Sequence, residues 1–106
     1  MSSYHVRGTV GGVGNRYSFT GEALHNIAVY GIEPVEVWQV LRAPQRLTRQ
    51  MGDEAKAVFG RTARGRYLVV LVVESIHEDN DWDVMAAREM WPDEIAMFSK
   101  YMGEQE

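Results

Sequence analysis

Apolar residues recur at helical spacing near the start of the chain. Leu24, Ile27 and Ala28 fall at i, i+3 and i+4, which predicts the buried stripe of a helix over 21–30. Thr20 stands where a capping side chain is wanted, and Gly31 follows the last turn, where a positive φ is favoured. Glu33-Pro34-Val35-Glu36 restarts a helix, because proline at the first helical position loses no hydrogen bond. Val37, Val40 and Leu41 carry its apolar face until Ala43-Pro44 stops it. Beyond Pro44 the period becomes two. Residues 46–50 predict a short strand that turns through Met51-Gly52-Asp53. Residues 55–61 then alternate, with Ala57 and Phe59 on one face and Lys56 and Val58 on the other. The run Tyr-Leu-Val-Val-Leu-Val-Val-Glu at 67–74 is apolar almost throughout, as in a central strand covered on both sides. A hairpin at 62–66, with Gly65 in the left-handed position, joins these two strands. Residues 75–81 form an acidic loop, and 82–89 form a further strand on which Trp82, Val84, Ala86 and Arg88 share a face. Pro92 opens a last helix whose Trp91, Ile95, Phe98 and Met102 dock on the sheet. The expected fold is α+β: two N-terminal helices, a three- to four-stranded antiparallel sheet and a C-terminal helix.

Order is expected from about Thr20. The glycine-rich residues 1–18 read as a flexible arm or a loose hairpin, and 19–106 as a single domain. Gly11-Gly12-Val13-Gly14 lacks the lysine and hydroxyl of a phosphate-binding loop and receives no chemistry. A length of 106 residues supports one domain. The absence of cysteine excludes a disulfide scaffold, a thiolate zinc site, an iron–sulfur cluster and a cysteine nucleophile. The longest apolar run, 68–73, falls far short of the roughly 20 residues of a membrane helix, and no secretory signal is recognisable. A cytoplasmic protein with no membrane contact is expected.

Charge changes the picture, because it is segregated. Residues 1–70 carry a net charge of +4 and residues 71–106 a net −8. Arginine outnumbers lysine nine to two, a ratio that genome base composition alone also produces. Guanidinium groups suit bidentate phosphate contact, which makes Arg46, Arg49, Lys56 and Arg64 candidates for binding RNA. His25 is a candidate proton carrier beside the first apolar stripe, or a packing residue. Glu74 could exchange protons or pair with Arg88. Trp38, Trp82 and Trp91 stack bases in one reading and fill the core or an interface in the other. His5, His25 and His77 show no metal-ligand spacing, so neither a metal nor another cofactor is expected.

Three strings carry a resemblance: Gly-Ile-Glu-Pro-Val-Glu-Val-Trp-Gln-Val-Leu-Arg-Ala-Pro at 31–44, Val-Phe-Gly-Arg-Thr-Ala-Arg-Gly-Arg-Tyr at 58–67 with the apolar run behind it, and Val-Met-Ala-Ala-Arg-Glu-Met-Trp-Pro-Asp-Glu at 84–94. Together they resemble the BrnT-type toxins over residues 22 to about 100. The resemblance implies a RelE-like fold, metal-independent cleavage of RNA through its 2′-hydroxyl, and neutralisation by a cognate antitoxin. Arg61, Arg66 and Arg88 fall on the family's hairpin and strand-end arginines, with Tyr30, His25 or Glu74 exchanging protons. Two positions depart from the family. Phe19-Thr20-Gly21-Glu22 lacks the usual lysine near the first helix, and Val29-Tyr30-Gly31-Ile32 has Tyr30 where a histidine is common. A non-catalytic interaction module of the same fold is the alternative, and a homodimer is compatible with either.

Overall fold

Thr20 does start the first helix. Its hydroxyl oxygen accepts a hydrogen bond from the Ala23 amide at 3.0 Å, and α1 runs Gly21–Val29. Gly31, at φ +70°, ends it: the amides of Gly31 and Ile32 reach back to the carbonyls of Ala28 and Ile27. Ile32 and Ile27 are both buried in one core cluster, so the turn is sealed by an apolar contact. Helix α2 (Pro34–Arg42) follows at once.

The computed structural model describes residues 4–5, 16–75 and 81–105. The glycine-rich stretch at 8–15, His77 and the acidic residues at 78–80 lie outside them. The strands are β1 (Tyr4–His5), β2 (Arg16–Phe19), β3 (Leu47–Gln50), β4 (Ala55–Arg61), β5 (Tyr67–Glu74) and β6 (Asp81–Glu89), and α3 spans Pro92–Gln105. They form one sheet in the order β1-β2-β6-β5-β4-β3. The chain is α+β, with three helices and a mixed sheet. Among the described residues no helix is long and apolar enough to cross a membrane.

Two expectations about the sheet need correction. It is not purely antiparallel, since β2 pairs parallel with β6, Phe19 lying opposite Val84. Ordered structure therefore precedes Thr20, and the two N-terminal helices are inserted between strands of one sheet. The second correction concerns β6. Val72 pairs with Val84 but Leu71 pairs with Ala86, so Met85 is an extra residue in a β-bulge. A bulge shifts the alternation by one residue. Trp82 and Val84 consequently face the α1–α2 layer with Ala87 and Glu89, while Ala86 and Arg88 face the side of α3.

The helices cover the two sheet faces unequally. Leu68, Val70 and Val72 of β5 join Val58, Val84, Ile27, Val37, Val40 and Leu41 in the larger core. On the other face Ala57, Phe59 and Val69 pack with Phe98, Ile95, Met97 and Met102 of α3. Strand β5 is central, with Leu68, Val70 and Val72 buried under α1 and α2; on the other face only Val69 is fully buried, and Leu71 and Val73 stay partly exposed. The first helix presents Ala23 and Ile27 to the core, not Leu24, which is 40% exposed. Trp91 is 58% exposed and takes no part in docking α3; Met90 is buried there instead.

Gly60 sets how closely α2 approaches the sheet. A Cβ at this position would lie 3.1 Å from Val40 Cγ1 and 3.7 Å from Val40 Cα. Valine in a helix has one strongly preferred rotamer, so the methyl cannot rotate aside. Gly60→Ala should gain about 0.5–1 kcal/mol of strand propensity and lose about 1–3 kcal/mol to overpacking. A net destabilisation near 1 kcal/mol is expected in urea titration, partly relieved by Val40→Ala. A stabilised single variant would show that the helix shifts freely.

Candidate functional site

The arginines gather at the hairpin end of the sheet. Thr62 and Arg66 close the hairpin, the Thr62 amide donating to the Arg66 carbonyl at 2.8 Å and the Arg66 amide to Thr62 Oγ1 at 3.0 Å. Gly65 takes φ +92° in the three-residue loop between them. At the opposite end of the strands, Glu74 lies across from Trp82 and beside Asp83 and Asp81. Glu74 and Asp83 thus lie away from the hairpin, whereas Glu89 and Glu94 of the same acidic segment lie among the arginines.

The three arginines that the resemblance singles out divide between the two faces. Arg61 pairs across from Tyr67 and Arg88 across from Val69, both on the side of α3. Arg66 points the other way. Its guanidinium donates to Glu36 Oε1 at 2.8 Å, to Glu89 Oε2 at 2.7 Å and to the Gly31 carbonyl at 3.2 Å. Glu89 first, then Glu36, raise the Arg66 pKa against the opposing effect of burial. Arg66 therefore holds α2, the α1–α2 turn and β6 together, and its charge is spoken for.

Arg88 is also engaged. Both its terminal nitrogens reach Glu94, at 2.8 and 2.9 Å, and its guanidinium lies 3.9 Å over the Trp91 ring. Glu94 additionally accepts the Trp91 amide at 2.8 Å, as a carboxylate in the first turn of a helix can. Arg88 above all, and the Trp91 amide besides, hold Glu94 below the usual carboxylate range.

This pair borders a groove of about 340 Å³ on the part of the sheet that α3 leaves open. Phe59, Val69, Leu71 and Ala86 contribute to its floor, and Tyr30, Arg49 and Arg88 approach it from the rim. Each rim group has a local origin. Tyr30 is the C-cap of α1, fixed by the turn at Gly31. Arg49 comes from edge strand β3, opposite Ala57. Arg88 is brought to this face by the bulge at Met85. The Tyr30 hydroxyl and the Arg49 guanidinium have no hydrogen-bond or ion-pair partner among the described residues.

No known protein family, curated protein or solved structure matches this chain. The site therefore rests on its own geometry.

The remaining candidates lie elsewhere. Glu74 is exposed and sits five residues along β5 from Val69, roughly 17 Å by strand rise, so it does not reach Arg88. His25 is exposed on α1 and lines neither cavity. Lys56 stacks over Trp82 at 4.5 Å on the α1–α2 face. Trp38 packs against Tyr17 and Phe19 in the core, with Arg42 above it. Arg46 donates to the Ala43 carbonyl at 2.6 Å, and Arg64 is exposed in the hairpin loop. Among the described residues no group of three or more His, Cys, Asp and Glu could hold a metal. Sequence reasoning missed Glu94. An acid in the first turn of a predicted helix, six residues after a strand-end arginine, was the available signal.

Proposed function

We propose that this chain is a BrnT-like ribonuclease toxin that cleaves single-stranded RNA in the groove between Tyr30 and Arg49. One observation carries the reading: a phenol and two guanidinium groups line the rim of one open, apolar stretch of sheet. RNA brings its own nucleophile. When the 2′-hydroxyl attacks the adjacent phosphate, a cyclic phosphate forms and the 5′-oxygen leaves. The protein must accept one proton, supply another and stabilise the charge building on the phosphate oxygens. Arg49, which hydrogen-bonds no carboxylate among the described residues although its charge is felt by Glu94, and Arg88, steadied by Glu94, suit the charge. Arginine does not act as a base, so the phenol of Tyr30 gives its proton to the departing 5′-oxygen, and the Glu94 carboxylate in the same groove accepts the one from the 2′-hydroxyl. Exposed Trp91 beside Arg88 offers a face on which a base stacks. Sequestration by a cognate antitoxin and a cytoplasmic site of action belong to the same proposal.

The bidentate contact between Arg88 and Glu94 favours a second reading, the non-catalytic module, because it offsets one of the two cationic charges. Unstructured RNA incubated with the protein in EDTA separates the two. Fragments ending in cyclic phosphate are expected, and the same oligonucleotide with 2′-O-methyl groups should stay intact. Cleavage lost on adding EDTA would reject the metal-free chemistry. Intact RNA after prolonged incubation would leave the interaction module standing.

A further inference from the structure

Arg61 differs from Arg66 and Arg88 in having no carboxylate partner among the described residues. It is nevertheless held in place. Its guanidinium lies 4.9 Å over the Tyr67 ring, which is itself packed edge-on against Phe98 at 6.1 Å. On another side is the bare backbone of Gly65, where even a Cβ would come within 3.3 Å of the guanidinium. The group lines a second cleft, of about 610 Å³, between the hairpin and the C-terminal part of α3. Gln45, Thr62 and Ser99 add polar groups to its wall. Arg46 is anchored on Ala43 and Arg64 lies between Ala63 and Gly65; Ala43, Ala63 and Gly65 all line this cleft.

A guanidinium fixed by stacking, with neighbouring cations and no carboxylate partner among the described residues, is preorganised for an oxyanion. We infer that the hairpin cleft binds a phosphodiester of the RNA strand outside the cleavage groove, with Arg61 as its principal contact. Edge strand β3 links the two places. Arg46 precedes it at the cleft and Arg49 on it reaches the groove, a separation of roughly 10 Å by strand rise. One short stretch of RNA can therefore engage both. An acidic protein segment would satisfy the charge too, but the alignment with the open groove favours the nucleic acid. Arg61 thus becomes a binding residue outside the reacting centre.

The inference rests on the RNA reading above, and its test is separable from cleavage. Fluorescence anisotropy is measured with uncleavable 2′-O-methyl oligouridines, a trinucleotide and a nonanucleotide. The wild-type protein should bind the longer one about tenfold more tightly, the scale of one charge-assisted contact. Arg61→Ala should remove that gain and leave trinucleotide binding unchanged, which also reports an intact fold. The slope of log K against log salt should fall by about 0.7, the value for one phosphate on a single strand. Arg61→Lys should restore the slope and only part of the affinity, since an ammonium lacks the planar fork. Undiminished nonanucleotide affinity in Arg61→Ala would overturn the inference, even if the wild type cleaves RNA. A glutamate-rich peptide losing affinity in Arg61→Ala while the RNA does not would also overturn it. Arg61-dependent RNA binding by a protein that never cuts would support the cleft and refute the ribonuclease reading. Failure of the wild type to bind either oligonucleotide would refute both.

Discussion

Replacing Arg66 with alanine is expected to lower the unfolding free energy by about 3–5 kcal/mol, the usual consequence of removing one partner from a buried ion pair. Glu36 is only 2% exposed, and it sits among Val37, Val40 and Ile32 in the larger core region. Its Oε1 accepts from Arg66 and from the Glu33 amide at 3.1 Å, while Oε2 is buried without a partner among the described residues. Without Arg66 the buried carboxylate loses its counter-charge and keeps only the Glu33 amide. The loss is a large share of the roughly 5–15 kcal/mol that stabilises an ordinary domain. Urea titration measures it, and Arg66→Ala combined with Glu36→Gln should recover about half by removing the stranded charge. A single variant within about 1 kcal/mol of wild type would show that water reaches Glu36. The family resemblance assigns Arg66 to the hairpin arginines, yet its contacts are those of a structural clamp. A cleavage defect in Arg66→Ala must accordingly be read beside its stability.

Tyr30→Phe is expected to reduce RNA cleavage by about 10²–10⁴-fold with no measurable change in stability. The range is that of a positioned proton-transfer group. The fold should not register the change, since the hydroxyl has no hydrogen-bond partner among the described residues and the ring is 61% exposed. Tyr30 lines the same groove as Arg49 and Arg88, so a phosphate bound there meets the phenol and both guanidinium groups. Arg49 matters most here, because Arg88 is already paired. The affinity of uncleavable RNA should stay within about twofold of wild type, separating proton transfer from binding. Undiminished cleavage by Tyr30→Phe would remove Tyr30 from the mechanism and turn attention to Glu94.

The elements written by short-range chemistry were legible in the sequence. Thr20, Gly31, Pro34 and Gly65 act on the backbone within a turn or two, so their identities suffice to place helix ends and the hairpin. The alternation of Ala57 and Phe59 against Val58 gave the faces of β4, and the run at 67–74 gave the centre of the sheet. The separation of Arg61 from Arg66 was not read there, since the two were grouped with Arg88 as arginines of one shared site. Once the hairpin pairs Arg61 with Tyr67, residue parity sends Arg66 to the other face.

Tertiary structure alone decided the rest. Parallel pairing of β2 with β6 joins segments more than 60 residues apart, and nothing local in Arg16–Phe19 names its partner. The bulge at Met85 exists because the two ends of β6 answer to different faces, Trp82 and Val84 to the helical core and Arg88 to Glu94. Periodicity sees an uninterrupted strand there and puts Arg88 on the wrong side. Trp91 at helical spacing looks like a docking residue, but the stacked Arg88 side chain keeps it outside. The sequence by itself determined which groups are available: a tyrosine after a helix, a band of arginines and a central apolar strand. Which arginines are neutralised, and which face an open sheet beside Tyr30, depends on contacts between distant strands, because charge pairing is set by distance in space.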